Sequence, residues 1–263
     1  MDMGLRGRVA AVAAASSGLG KAIAQGLAEE GARVALCSRD EGRVRAAAEE
    51  IAQSTGVDTF PVVADVSRAE DAQRFVREAA GRWGRLDVLV TNAGGPPPGS
   101  FDELDDAAWQ SAFELNLLST ARLVREALPH MRANRWGRIV TITSTSVKAP
   151  IGGLLLSNSI RAGVVGLVKT LSFELAPENI LVNNVCPGRL DTDRVRSLDE
   201  DRARRTGRDL EEIRRENEAR IPLGRLGEPW ELANLVVFLC GEPASYITGA
   251  SIQVDGGALP NLM

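Results

Sequence analysis

The sequence has 263 residues with 44% hydrophobic content, enough to bury one large core, most economically as a single α/β domain over 1–263. Its 31 basic and 35 acidic residues leave a formal net charge of -4, which supplies no electrostatic footprint for nucleic acid or an anionic membrane and leaves a small soluble ligand as the expected partner. Residues 1–8 lack the apolar core of a leader, and no stretch offers about 18 uninterrupted apolar residues, so a cytoplasmic protein is expected.

Short apolar runs alternate with longer helical patterns. The first run, 8–13, leads into Ala13-Ala14-Ala15-Ser16-Ser17-Gly18-Leu19-Gly20 and then a helical pattern over 20–30. A strand, a small-residue turn and a helix start bring backbone N–H groups and the positive end of the helix dipole to one point, which suits a pyrophosphate. The second run, 33–37, ends at Cys37-Ser38-Arg39-Asp40, with Asp40 as N-cap of a helix over 41–53. The third, 59–63, is followed by Asp65-Val66 and a helix from 69.

The fourth run, 88–91, ends at Asn92-Ala93-Gly94, and Gly94-Gly95-Pro96-Pro97-Pro98-Gly99 can continue neither a helix nor a central strand, so it forms a loop. In a doubly wound sheet the end of this strand lies beside the end of the first, across the switch point. A fifth run, 138–143, reaches Ser144, and a sixth, 181–185, precedes Pro187-Gly188-Arg189-Leu190-Asp191-Thr192. The stretch 193–220 is densely charged with no apolar stripe before Ile213, which fits either a helical lid or a solvated face. A last strand, 251–254, ends at Asp255-Gly256-Gly257. Strands this apolar suit parallel pairing with helices on both faces, so the fold class is a doubly wound, Rossmann-type α/β sheet of roughly seven strands.

The phosphate turn, Asn92-Ala93-Gly94, Asn116, Ser144 and the Pro187 to Thr192 motif together resemble the short-chain dehydrogenase/reductase family over essentially the whole chain. The ending Ile221-Pro222-Leu223-Gly224-Arg225-Leu226-Gly227-Glu228-Pro229, with Tyr246-Ile247-Thr248-Gly249 and Asp255-Gly256-Gly257, is most similar to its 3-oxoacyl-acyl-carrier-protein reductase branch. The resemblance implies that Ser16, Ser17, Gly18, Leu19 and Gly20 hold a dinucleotide, with Asp65 and Val66 at the adenine. It puts Asn92, Ala93 and Gly94 beside them, and Pro187, Gly188, Leu190 and Thr192 at the nicotinamide half. NAD-using relatives carry a carboxylate at the position of Ser38. Ser38 followed by Arg39 instead favours NADP(H) over NAD(H), because a guanidinium pairs well with a 2′-phosphate.

The catalytic positions depart from the family. The resemblance implies Ser144 as carbonyl donor and Asn116 as the holder of a relay water, but the family's Tyr and Lys positions fall on Ser157 and Arg161. A serine hydroxyl cannot inherit the role of a phenol, and an arginine stays protonated and cannot pass protons. The family's Thr-Gly opening of the phosphate turn is likewise Ala13-Ala14, of which Ala13 reads as the end of a buried strand. Tyr246, the only tyrosine, reads as packing; His130, the only histidine, as solvent-facing or set against a partner helix; and Lys148 as a loop residue near the substrate cleft. Cys37, Cys186 and Cys240 are read as buried reduced thiols, with no metal site.

Two functions stay open. One is an NADP(H)-dependent oxidoreductase on a carbonyl substrate, an acyl chain among the candidates, with a water or substrate group as proton source. The other is a nucleotide-binding sensor or the inactive subunit of a hetero-oligomer. Helical segments 164–176 and 232–239 match those that build the family's tetramer, so a homotetramer is expected.

Overall fold

The apolar runs form seven parallel strands, as a computed structural model describing residues 1–260 shows. In chain order the elements are β1 (Val9–Val12), α1 (Gly18–Glu29), β2 (Arg33–Ser38), α2 (Glu41–Thr55), β3 (Thr59–Val63), α3 (Ala69–Trp83) and β4 (Val88–Thr91). There follow α4 (Asp106–Phe113), α5 (Ser119–Asn134), β5 (Gly137–Ile142), α6 (Leu155–Leu175) and β6 (Ile180–Pro187). The chain then forms α7 (Asp193–Thr206), α8 (Leu210–Ala219), α9 (Pro229–Cys240) and β7 (Ser251–Val254). The sheet order is β3-β2-β1-β4-β5-β6-β7, so the direction of winding reverses between β1 and β4, as the sequence led us to expect.

Alternation along each strand sends side chains to two separate cores. Ala10, Val12, Val34, Leu36, Val90 and Val140 meet α1, α2 and α9 on one face. Their neighbours Val9, Ala11, Ala35, Cys37, Leu89 and Ile139 meet α3, α5 and α6 on the other. Both faces are therefore dry, which is why the strands read as unbroken apolar runs. Truncating a central residue such as the fully buried Leu89 to alanine would cost about 2–5 kcal/mol.

Local signals set the ends that matter for the site. Asp40 accepts from the Arg43 backbone N–H at 2.9 Å and caps α2, and Gly56, at φ 71°, ends it. The segments α4 and α5 run into one another through a π-helical turn, Glu114–Leu118, in which Asn116 is buried. Such turns re-aim a side chain within a helix, and here the one re-aimed is the asparagine singled out by sequence. Pro129 lies inside α5 and does not end it.

The charged stretch after β6 is the helical pair α7 and α8, fastened by an Arg189–Asp199 ion pair and by Asn217 Nδ2 donating to Asp199 at 2.8 Å. Arg202 and Arg208 both reach Glu216, at 3.2 and 2.9 Å. Ile213 is fully buried beneath the pair. All three cysteines are buried and unpaired, and burial pushes the thiols of Cys37 and Cys240 up to about 12. The packing expected of Tyr246 does not occur: its side chain is fully exposed, because the turn before Gly249 projects it outward. No helix among the described residues is long and apolar enough to cross a membrane.

Candidate active site

A cleft of about 1150 Å³ opens over the C-terminal ends of β1, β4 and β5, at the reversal of winding. A smaller hollow of about 430 Å³ behind α1 is already neutralised by its own Lys21–Glu50 and Arg196–Asp191 pairs, at 2.6 and 3.0 Å. Of the residues singled out by sequence, the cleft is lined by Ser16, Ser17, Gly18, Leu19, Ser38, Arg39, Asp65, Val66, Asn92, Ala93, Gly94, Ser144, Ser157, Arg161, Pro187, Gly188, Leu190 and Thr192. Gly20 and Asn116 support it from behind. A Cβ on Gly20 would stand 2.2 Å from the Ala14 carbonyl oxygen, so only glycine lets α1 start this close to β1.

At one end of the cleft two helix N-termini converge. Ser17 precedes α1 without capping it through its side chain, and the first turn carries no acidic residue. Thr192 caps α7 by accepting from the Val195 backbone N–H at 3.4 Å, and its methyl group lies 3.5 Å from where a Cβ on Gly18 would stand. An uncapped helix start with the positive dipole end facing a glycine cradle fits a pyrophosphate. The turn is braced by Asn92 Nδ2 donating to the Ala14 carbonyl at 3.3 Å and by Ser16 Oγ donating to Ser38 Oγ at 2.9 Å. Ala13 finishes the strand, donating to the Val90 carbonyl at 3.0 Å, while Ala14 takes a left-handed backbone with φ 49°, a conformation that favours glycine.

The rim at β2 and β3 carries Arg39, which is exposed and forms no ion pair among the described residues. Asp40 is held by its capping bond and by Arg43 at 3.8 Å, so its charge is partly met. Asp65 Oδ1 accepts from the Ser67 N–H and hydroxyl, at 3.0 and 2.7 Å. Gly188 packs against Asp255, where a Cβ would come within 2.6 Å. Leu190 is buried, bridged to Gly227.

At the other end lie three serines and an arginine. Ser144 Oγ accepts from the Ser146 N–H at 3.1 Å, capping a short 3-10 turn, Thr145–Val147, and its own proton is uncommitted among the described residues. Ser157 Oγ lies 3.4 Å from Ser146 Oγ, on the first turn of α6. One helical turn on, Arg161 is 7% exposed, and its Nη1 donates to the carbonyls of Ile142 and Thr143 at 3.0 and 3.2 Å. Its Nη2 donates to those of Ala93 and Gly94, both at 3.4 Å, so the guanidinium ties the end of β5 to the end of β4. No carboxylate is paired with it among the described residues. Burial, with Arg194 as a lesser cause, brings its pKa down to about 10, leaving it a cation at neutral pH.

Asn116 Nδ2 donates to the Gly94 carbonyl at 3.0 Å, and its Oδ1 is buried without a partner among the described residues. Thr120 Oγ1 donates to the Asn116 backbone carbonyl at 3.1 Å. Two residues of this end carry no sequence signal: Ser146, adjacent to Ser157 only because of the 3-10 turn, and Arg194, which looks like one more charge in a solvated run. Lys148, His130 and Tyr246 do not line the cleft.

This arrangement has close relatives. Residues 13–258 match the family model described as enoyl-(acyl carrier protein) reductase. The chain belongs to the short-chain dehydrogenase/reductase family. It is 37% identical to the 3-oxoacyl-[acyl-carrier-protein] reductase FabG of Aquifex aeolicus over 98% of this chain and 99% of that one. Among solved structures it is similar to L-sorbose reductase from Gluconobacter frateurii complexed with NADPH and L-sorbose, with 35% identity, a TM-score of 0.95 and full coverage of both chains. An actinorhodin polyketide ketoreductase with NADPH is similar at 35% identity and a TM-score of 0.93, over 97% of this chain and 98% of that one. As a short-chain dehydrogenase/reductase the chain is by family an oxidoreductase, with the family's sheet and strand-end cleft.

Proposed function

We propose that this chain is a cytoplasmic NADP(H)-dependent carbonyl reductase of the 3-oxoacyl-reductase type in which water, in place of a tyrosine, supplies the proton. The observation that carries this reading is the buried Arg161 cation one helical turn from Ser157, at the same strand end as the uncommitted hydroxyl of Ser144. The NADPH in the L-sorbose reductase and ketoreductase structures supports the cofactor assignment. So do the exposed, unpaired Arg39 and the neighbouring Arg43, which would meet a 2′-phosphate.

When bound, NADPH supplies a hydride to the carbonyl carbon and leaves as NADP+. The work of the chain is to stabilise the oxygen that then gains the electron pair. Ser144 donates a hydrogen bond to that oxygen, Ser157 adds a second donor, and the fixed charge of Arg161 lowers the energy of the alkoxide. Protonation from solvent follows, releasing hydroxide. Charge stabilisation replaces proton donation, so the reaction proceeds without a general acid, at a cost of about 10²- to 10⁴-fold in rate. Asn116, with its orphaned Oδ1, accepts a donor such as the relay water.

The helical pair α7 and α8 acts as the lid, its Val195 and Leu198 facing Leu115, Ile151 and Leu154 across the cleft, an apolar wall suited to an acyl chain. Exposed Phe173 on α6 and Trp230 on α9, at 73% and 59%, suit burial in a homotetramer, which light scattering would read directly. Unpaired, inert thiols suit a reducing compartment.

The deciding experiment measures NADPH oxidation over a panel of 3-oxo esters, 3-oxo acids and quinones, alongside NADPH binding by calorimetry. Turnover above background supports the reductase. Binding without turnover points to the second reading, a sensor or an inactive subunit of a hetero-oligomer, for which the left-handed Ala14 in the phosphate turn is the specific observation.

A further inference from the structure

We infer that the substrate of this cleft carries a carboxylate beside its reducible carbonyl, and that Arg194, at the start of α7, is the residue that selects it. The inference rests on the reductase reading and names its substrate class. It starts from the loop Gly94-Gly95-Pro96, which is bracketed by two guanidinium groups. Arg161 Nη2 reaches the carbonyls of Ala93 and Gly94 from below, and Arg194 Nη2 donates to the Pro96 carbonyl at 2.8 Å from above. Arg194 lies so close to the loop that a Cβ on Gly95 would come within 2.7 Å of it.

Neither cation has a carboxylate within ion-pair distance among the described residues. The acids around them are already engaged: Asp199 with Arg189, Asp193 with Arg196 at 3.3 Å, and Asp201 with Arg204 and Arg205 at 3.6 and 3.9 Å. The acidic residues that line the cleft away from the lid, Asp40, Glu41 and Asp65, sit at its adenosine rim. The reacting end therefore holds two like charges with no carboxylate in direct contact and only the more distant Asp201 acting on Arg194, an arrangement that an anionic ligand would relieve and a neutral ketone would not.

The two arginines are suited to different tasks. Arg161 is buried and its Nη atoms are committed to backbone carbonyls, so it acts as a fixed field. Arg194 is exposed on the cleft wall and needs only one of its five N–H donors for Pro96, which leaves a fork free for bidentate contact with a carboxylate. Its place on the first turn of the lid helix couples capture of the anion to the position of α7. Ser144 and Arg194 line the same cleft, so an oxo acid can present its carbonyl to the one and its carboxylate to the other.

The test compares acetoacetate with methyl acetoacetate in NADPH oxidation, and 3-hydroxybutyrate with its methyl ester in calorimetry, the latter with and without saturating NADPH. The acid is expected to be favoured by about tenfold or more, as a charge-assisted contact implies. Arg194→Gln should abolish that preference, bringing acid and ester to the same level, Arg194→Lys should restore part of it, and Gly95→Ala, which displaces the guanidinium without removing charge, should weaken it. Equal binding of acid and ester by the unaltered protein would overturn the inference. So would an Arg194→Gln variant that loses NADPH affinity while keeping the acid-to-ester ratio. Selective binding of the acid with no NADPH oxidation would sink the reductase reading and leave the anion site standing.

Discussion

The hydroxyl of Ser157 lies 3.4 Å from that of Ser146, so the serine at the family's tyrosine position is paired with a hydroxyl of the 3-10 turn that Ser144 caps. A phenol is several Å longer than this side chain, so the position lacks the reach of the family's tyrosine, and Ser157 and the Arg161 cation line the same cleft.

Restoring the family's pair tests what that lost reach did. The double variant Ser157→Tyr with Arg161→Lys is expected to raise kcat by about 10²- to 10⁴-fold on a substrate that the unaltered chain reduces slowly. The lysine gives up the four carbonyl contacts of Arg161, so a lower melting temperature should accompany the gain. A rise in kcat without any fall in stability would show that those contacts carry little.

Ser144→Ala separates catalysis from folding. Loss of its donor should lower kcat by about 10²- to 10³-fold with little change in KM. The same hydroxyl accepts from the Ser146 N–H, so chemical denaturation should also show a loss of about 1 kcal/mol from the missing cap. A rise in KM alone would place Ser144 in ground-state binding.

The pH profile distinguishes a fixed charge from a proton donor. With its pKa lowered to about 10 by burial, Arg161 is protonated in both folded and unfolded chains below that value, so it adds no pH dependence to stability near neutrality. Above it the folded chain sheds the proton first, and the stability cost of burying the charge falls as pH rises through about 10. Catalysis should accordingly lose its cation, and its rate, only on that alkaline side. A kcat profile without an alkaline limb between about pH 6 and about pH 9 is the expected result.

Particular residues show why the fold was easier to read than the site. Val9, Ala10, Ala11 and Val12 are all fully buried, and a strand covered on both faces announces itself as a continuous apolar run. Gly18, Asn92 and Thr192 were legible because each stands at a strand end or helix start where backbone geometry restricts the residue. Ser146 was not, since its proximity to Ser157, eleven positions on, arises from the chain folding back between the 3-10 turn and α6. Arg194 was hidden by composition: among the arginines of 193–220 nothing in the sequence marks which one lacks a carboxylate. Tyr246 reads as packing because sequence cannot separate a residue that packs within its own chain from one left for another surface.

Ala14→Gly probes the phosphate turn. At φ 49° the alanine carries strain of about 1–2 kcal/mol that glycine would relieve, offset in part by the greater freedom of a glycine in the unfolded chain. Net stability should change by less than about 1 kcal/mol. NADPH affinity should rise, because the methyl group leaves the edge of the pyrophosphate cradle. Unchanged affinity in calorimetry would show that the methyl points away from the phosphates.

Arg39→Ala addresses cofactor choice through a difference of two affinities. If the exposed guanidinium meets a 2′-phosphate, its removal costs a charge-assisted contact of about 1.5–3 kcal/mol, and the Kd for NADPH should rise by about ten- to a hundredfold. NADH has no 2′-phosphate, so its Kd should stay where it is. Arg43 and the Arg43-paired Asp40 stay in place in this variant, which confines the change to one charge. Parallel loss for both dinucleotides would instead trace to the rim of β2, where Ser38 Oγ accepts from Ser16 and from the Asp40 N–H at 2.9 and 3.3 Å. Ser38→Asp is the complementary variant. Its carboxylate would compete for the ribose hydroxyls and repel the 2′-phosphate, so the ratio of NADPH to NADH affinity should fall further when it is combined with Arg39→Ala. An additive fall would mean that the two positions act on the same phosphate through separate charges, whereas a fall no larger than that of either single variant would mean that one residue only orients the other.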